Sequence, residues 1–135
     1  MKVYLAASYS RKDEISKLRE ELRSMGLIVN SRWLDQRELP LEGKEKYLRE
    51  NAFIDVEDVL SSNVLVRFTD DLGFPLVPSS LATGSRFFET GLAWARGIPI
   101  VVVGGNQCIF DRLPNIIHLK DTNQLKRYLA PYEIN

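Results

Sequence analysis

Apolar and polar positions alternate in blocks along this chain, and the blocks change period. Lys2–Ala7 is apolar and β-prone and predicts a buried strand. Ser8–Gly26 follows with Ile15, Leu18, Leu22 and Met25 at three- and four-residue steps, the spacing of one helix face. Ser8 or Ser10 is placed to cap that helix and Gly26 to end it. Leu27–Leu34 predicts a second strand, and the polar stretch Asp35–Gly43, with Pro40, a loop. Lys44–Ser62 has a helical pattern with a candidate break near Asn51, and Val64–Phe68 is a third strand. Thr69–Gly84 is a long loop, of a length that is usually functional in a compact domain. Ser85–Arg96 predicts a helix closed by Gly97, Pro99–Val103 a strand, Asn115–Leu119 a fifth strand and Asp121–Tyr128 a last helix.

Strands alternating with helices imply right-handed crossovers and parallel pairing. Continuous apolar strands fit a sheet covered on both faces. The expected fold is therefore α/β: a three-layer, doubly wound sandwich on a mostly parallel five-stranded sheet, flavodoxin-like or Rossmann-like, with residues 1–135 as one domain. Ligands of such sheets bind outside the carboxyl ends of the strands. That rule selects Ala7–Arg11, Thr69–Ser85 and Gly104–Cys108.

Composition narrows the chemistry. Lys and Arg balance Asp and Glu for a net charge of zero, which gives no support for a nucleic-acid polymer or an anionic membrane as partner. One cysteine, Cys108, and one histidine, His118, exclude an internal disulfide and leave too few ligands for a Cys/His zinc cluster. No secretory leader or membrane-spanning run is expected, and the simplest setting is cytoplasmic. The turn after the first strand reads Ala-Ala-Ser-Tyr-Ser, without the glycines of a dinucleotide fingerprint, and neither a P-loop nor a G-x-S-x-G elbow occurs. His118, in an apolar strand, reads as structural or partly buried, and Cys108 as inert.

Carboxylates remain as the candidate chemistry. Glu89 lies early in a helix that starts at a strand's carboxyl-end loop, where the helix dipole favours an ionised carboxylate able to attack an electrophilic carbon. A capping box counted from Ser85 would place its acid at Phe88, so capping does not explain Glu89, although an ion pair with Arg86 remains open. Asp55 and Asp58 are one helical turn apart, toward the end of their helix; their pattern alone favours a solvated face with Glu57 over a second carboxylate for glycosidic chemistry. Tyr4 is a core residue whose hydroxyl can orient a carboxylate, and Trp33 either packs under a loop or stacks on a base.

Taken together, Val3-Tyr4-Leu5-Ala6-Ala7-Ser8, Ala52-x-x-Asp55-x-x-Asp58 before Ser62-Asn63-Val64-Leu65-Val66, Gly84-Ser85-Arg86-Phe87-Phe88-Glu89-Thr90-Gly91, and Gly97-Ile98-Pro99-Ile100 resemble the nucleoside 2-deoxyribosyltransferase family and its phage-type and deoxynucleoside 5′-monophosphate N-glycosidase relatives. The resemblance runs in order along nearly the whole chain. It implies that Glu89 attacks C1′ to form a covalent deoxyribosyl intermediate, that Asp55 holds or protonates reacting groups with Asp58 as helper, and that Tyr4 orients Glu89. It implies that Ser8 and the Thr83-Gly84-Ser85 turn, with Arg86, bind the sugar 5′ end or a phosphate. Arg11 near a helix start suits a 5′-phosphate, and its alternative is a solvated helix residue; Asp70 or Asp71 could take a base-binding or acid role. No metal or organic cofactor is implied, the partner is a small nucleoside or nucleotide, and family members form homo-oligomers that share active sites.

The sequence departs from the family at Ala7, where the family has glycine, and in the 69–84 loop with Pro75 and Pro78, which leaves the base preference open. Three activities follow. A transferase passes the sugar to a second base; a hydrolase of 5′-monophosphates passes it to water; a non-catalytic nucleotide sensor binds nucleotide and tolerates loss of Glu89.

Overall fold

The computed structural model describes residues 1–36, 39–69 and 84–130. Five parallel strands form one sheet in the order β2-β1-β3-β4-β5: β1 Lys2–Ala6, β2 Ile28–Val29, β3 Val64–Phe68, β4 Ile100–Val103 and β5 Ile116–Leu119. Four helices accompany them: α1 Lys12–Ser24, α2 Lys44–Ser61, α3 Ser85–Ala95 and α4 Thr122–Leu129. The expected flavodoxin-like α/β arrangement is the one found. No helix among the described residues is long and apolar enough to cross a membrane.

The central strands are buried along their length: Val3, Tyr4, Leu5 and Ala6 on β1, all of β3 and all of β4. Burial on both faces is what their largely apolar runs, wholly β-branched in β4, require. Helix α1 turns Ile15, Leu18 and Leu22 inward, the face its period marked. Helix α4 starts on Asp121, whose side chain accepts from Gln124 N, and buries Leu125 and Leu129. Gly26 and Gly97 adopt positive φ after α1 and α3, as helix-ending glycines do.

Three local expectations are corrected. The second strand is two residues long, because the chain after Val29 turns into a 3-10 helix at Arg32–Asp35. Trp33 therefore sits in a turn rather than at a strand end. Residues Tyr9–Arg11 also form a 3-10 turn before α1, so that helix begins at Lys12 and not at Ser8. Helix α2 runs unbroken through Asn51, whose amide Nδ2 donates to the Tyr47 carbonyl 3.0 Å away and so stays within the helix.

The crossover from β4 to β5 contains only a 3-10 turn, Ile109–Arg112, where the other described crossovers carry an α-helix. It is fastened by a buried ion pair between Arg67 on β3 and Asp111, which are 1% and 0% exposed. Gln107 N and Cys108 N donate to Asp111 Oδ2. Burial pushes the Asp111 carboxyl up, but the Arg67 hydrogen bond and these two amides outweigh it and hold the carboxyl below the usual carboxylate range. His118 is exposed on β5, and its Nε2 donates to the Asp111 carbonyl at 2.7 Å, a structural tie. The Cys108 thiol points to Asp111 Oδ1 at 3.5 Å.

Candidate active site

Strand β1 delivers Tyr4 and helix α3 delivers Glu89 to one point. The Tyr4 hydroxyl donates to Glu89 Oε2, and Tyr4 is fully buried. Glu89 is the fifth residue of α3, which begins after Gly84, whose carbonyl accepts from Phe87 N and Phe88 N. A cleft of about 240 Å³ opens between α2 and α3, lined by Asp55 and Glu89, by Ser85 and Phe88, and by aliphatic Val56, Val59 and Leu92. Two carboxyls, a serine hydroxyl and an aromatic ring thus share one mainly apolar space, with Tyr4 hydrogen-bonded to the Glu89 carboxyl.

That environment sets the proton affinities. Burial raises Glu89 from 4.5 to about 8. The expectation of an ionised Glu89 is corrected: at its fifth position the helix dipole has weakened, and desolvation by burial wins. Asp55 rises from 3.8 to about 6, first through burial and then through the negative charge of Asp58, against the opposing effects of Arg32 and Gln36. Two carboxyls with raised and separated affinities in one cleft are a recurring mark of acid–base chemistry.

Asp58 itself does not line the cleft. It is 4% exposed, and Arg32 takes both of its oxygens: Arg32 N donates to Oδ2 at 3.0 Å and Nε to Oδ1 at 2.9 Å. Trp33 is 7% exposed, and its indole N–H is spent on the Leu5 carbonyl at 2.7 Å, the packing alternative rather than a stacking platform. Arg11 donates to the Thr69 carbonyl at 2.9 Å, pairs with Glu14 and lies over the Phe68 ring. Its charge is therefore shared within the protein. Ser8 Oγ lies 3.0 Å from Ser10 Oγ. Arg86 is buried in the first turn of α3 with its guanidinium 4.7 Å from the Phe87 ring centre, and the described contacts of Glu89 include no ion pair with it. Asp70 and Thr83 lie outside the described residues. The Gly104–Cys108 segment, expected at the site, instead caps the 109–112 turn through Gln107 N and Cys108 N.

Sequence reasoning missed Gln36, whose amide Nε2 donates to Asp55 Oδ1 at 3.3 Å. A lone glutamine in a polar loop carries no pattern that would single it out. A second cavity of about 570 Å³ lies on the other flank of α3, lined by Phe87, Thr90, Trp94, Phe110 and the Arg67–Asp111 pair, with Phe88 shared between the two spaces. Among the described residues, no group of three or more His, Cys, Asp or Glu side chains is placed to hold a metal ion.

No family model matches the sequence, and no curated protein matches it. Solved structures do. A 2-deoxyribosyltransferase from the psychrotolerant bacterium Bacillus psychrosaccharolyticus superposes with a TM-score of 0.73 at 18% identity, over 95% of this chain and 92% of that one. A CMP N-glycosidase from Clostridium botulinum superposes with a TM-score of 0.60 at 18% identity, over 95% of this chain and 98% of that one. The chain therefore has the fold of this 2-deoxyribosyltransferase and this CMP N-glycosidase, which is the fold that its resemblance to the nucleoside 2-deoxyribosyltransferase family implies.

Proposed function

We propose that the protein cleaves the N-glycosidic bond of a small nucleoside, a 2′-deoxynucleoside first of all, and transfers the sugar through a covalent bond to Glu89. The observation that carries this reading is the Tyr4–Glu89 contact at the edge of a cleft that also holds Asp55. In the first step a Glu89 oxygen forms a bond to C1′ while the C1′–N bond breaks. The leaving base takes the proton of Asp55. In the second step the nitrogen of an incoming base attacks C1′, gives its proton to Asp55, and releases Glu89. Positive charge develops on the sugar in both transition states and favours the ionised form of Glu89 that burial disfavours. Tyr4 holds the carboxyl in place, and Ser85 is positioned to receive a sugar hydroxyl or a 5′ substituent.

Water in place of the incoming base makes the same protein a hydrolase. The name of the Clostridium botulinum protein supports keeping that outcome in the assay. The engagement of Arg11 with Glu14 and Thr69 weakens the case for a dedicated 5′-phosphate site there. The test is incubation with each deoxynucleoside, each deoxynucleoside 5′-monophosphate and CMP, with and without a second base, followed by chromatography of free bases and new nucleosides. Base release or exchange that is absent in Glu89→Ala supports the reading. No release from any substrate, with nucleotide binding equal in both forms, overturns it in favour of a sensor.

A further inference from the structure

We infer that Gln36 is a positioning residue for Asp55: its side-chain amide fixes which carboxyl oxygen is presented to the Glu89 cleft. The inference deepens the proposed function and rests on Asp55 as the proton donor of that reaction.

The argument begins with the backbone that carries Gln36. The 32–35 turn is fastened to β1 twice, since Leu5 N donates to Ser31 Oγ at 2.7 Å and Trp33 Nε1 donates to the Leu5 carbonyl at 2.7 Å. It is fastened to α2 through Arg32, whose backbone and guanidinium both grip Asp58. Gln36 follows directly, with its own N–H donating to the Trp33 carbonyl at 3.2 Å and its carbonyl accepting from Lys12 Nζ. Both main-chain groups of Gln36 are thus held, so its side chain starts from a fixed point. From there Nε2 reaches Asp55 Oδ1. Among the described residues no other group donates to Asp55, which leaves Oδ2 as the oxygen available to carry a proton into the cleft. A shared loop residue would not need this scaffolding, whereas a group that must hold a carboxyl to within a fraction of an ångström does.

Charged groups around Asp55 come from three elements: Asp58 on its own helix, Arg32 from the 32–35 turn, and Glu89 from α3 with the Tyr4 hydroxyl behind it. The Gln36 amide favours the ionised form of Asp55, so its removal strengthens proton binding there.

Gln36→Met keeps the length and removes the donor; Gln36→Asn keeps the amide but withdraws it. Both variants are expected to lower kcat about tenfold, the scale of one hydrogen bond, with KM changed less than about twofold. Both should also move the acid-side limb of the pH–rate profile to higher pH. Carbon-13 NMR titration of the Asp55 carboxyl in wild type and Gln36→Met provides a reading that needs no turnover, and should shift the same way. An unchanged Asp55 titration, or an unchanged pH profile in an active protein, overturns the inference. If the wild type releases no base from any substrate, the glycosidic reading fails, while a shifted Asp55 titration still shows that Gln36 holds this carboxyl.

Discussion

The hydroxyl of Tyr4 meets the carboxyl of Glu89 across 85 residues of sequence, and it does so from a strand that is buried along its apolar length. A phenol in that position has no solvent to donate to, so the carboxyl is its natural partner. Tyr4→Phe preserves the packing volume and deletes only this donor. We expect kcat to fall about ten- to hundredfold, as for loss of a hydrogen bond to a charged group, with KM and the melting temperature little changed. Steady-state kinetics beside a thermal melt checks it.

The rate should have a bell-shaped dependence on pH. With Asp55 near about 6 and Glu89 near about 8, the singly protonated pair predominates between those values. The productive arrangement, with Glu89 ionised and Asp55 protonated, is one of its two tautomers and follows the same profile. Activity is expected to rise through about 6, peak near neutrality and decline through about 8. Asp55→Asn should abolish the bell, and a flat profile for the wild type would contradict the pairing.

Glu89 should also cost the fold stability at alkaline pH. Its folded-state affinity is raised from 4.5 to about 8, so the unfolded chain ionises first. The contribution of Glu89 to stability is then most favourable below 4.5 and falls as pH climbs through this window. Glu89→Gln removes the ionisable group. The variant should melt above the wild type at pH 9 and match it near pH 4, the reverse of what loss of an ordinary stabilising side chain gives.

The Arg67–Asp111 pair offers a test remote from the cleft. Arg67→Met would strand a fully buried carboxylate, with two backbone amides and the weakly donating Cys108 thiol left to it, and is expected to lower stability by about 3–5 kcal/mol in urea unfolding. Replacing both partners, with Asp111→Leu, should recover much of that loss because no buried charge is left unpaired. A similar deficit in single and double variants would mean that the turn depends on the amide contacts instead.

The strands of this protein could be read from residue type because β1, β3 and β4 are mainly apolar runs, β3 interrupted only by the buried and ion-paired Arg67, and such runs are stable only between two covered faces. The helix over α1 could be read from Ile15, Leu18 and Leu22 for the complementary reason, a single buried stripe. Leu27–Leu34 misled because its apolar residues serve two purposes. Val29 pairs with β1, whereas Trp33 and Leu34 are buried by a turn that folds back under it. Among the site residues, Glu89 and Asp55 were visible as carboxylates in unusual places. The proton affinities were not, since they depend on burial that only the packing of α2 against α3 creates. Asp58 was visible as a carboxylate but not as the anchor of Arg32, a partner 26 residues away.

Gly104 adopts a φ of +112°, and a β-carbon placed on it would lie 1.9 Å from Thr69 Oγ1. Thr69 in turn donates both its N–H and its hydroxyl to the Val103 carbonyl, so it cannot step aside without breaking the join between the ends of β3 and β4. These two positions are consequently one unit of inheritance. A side chain at 104 demands a smaller residue at 69, and even Thr69→Ala leaves the backbone at 104 in a conformation that L residues resist. Variation among natural relatives should therefore pass through position 69 first, and libraries that randomise the two sites independently will return glycine at 104 almost regardless of what they select for.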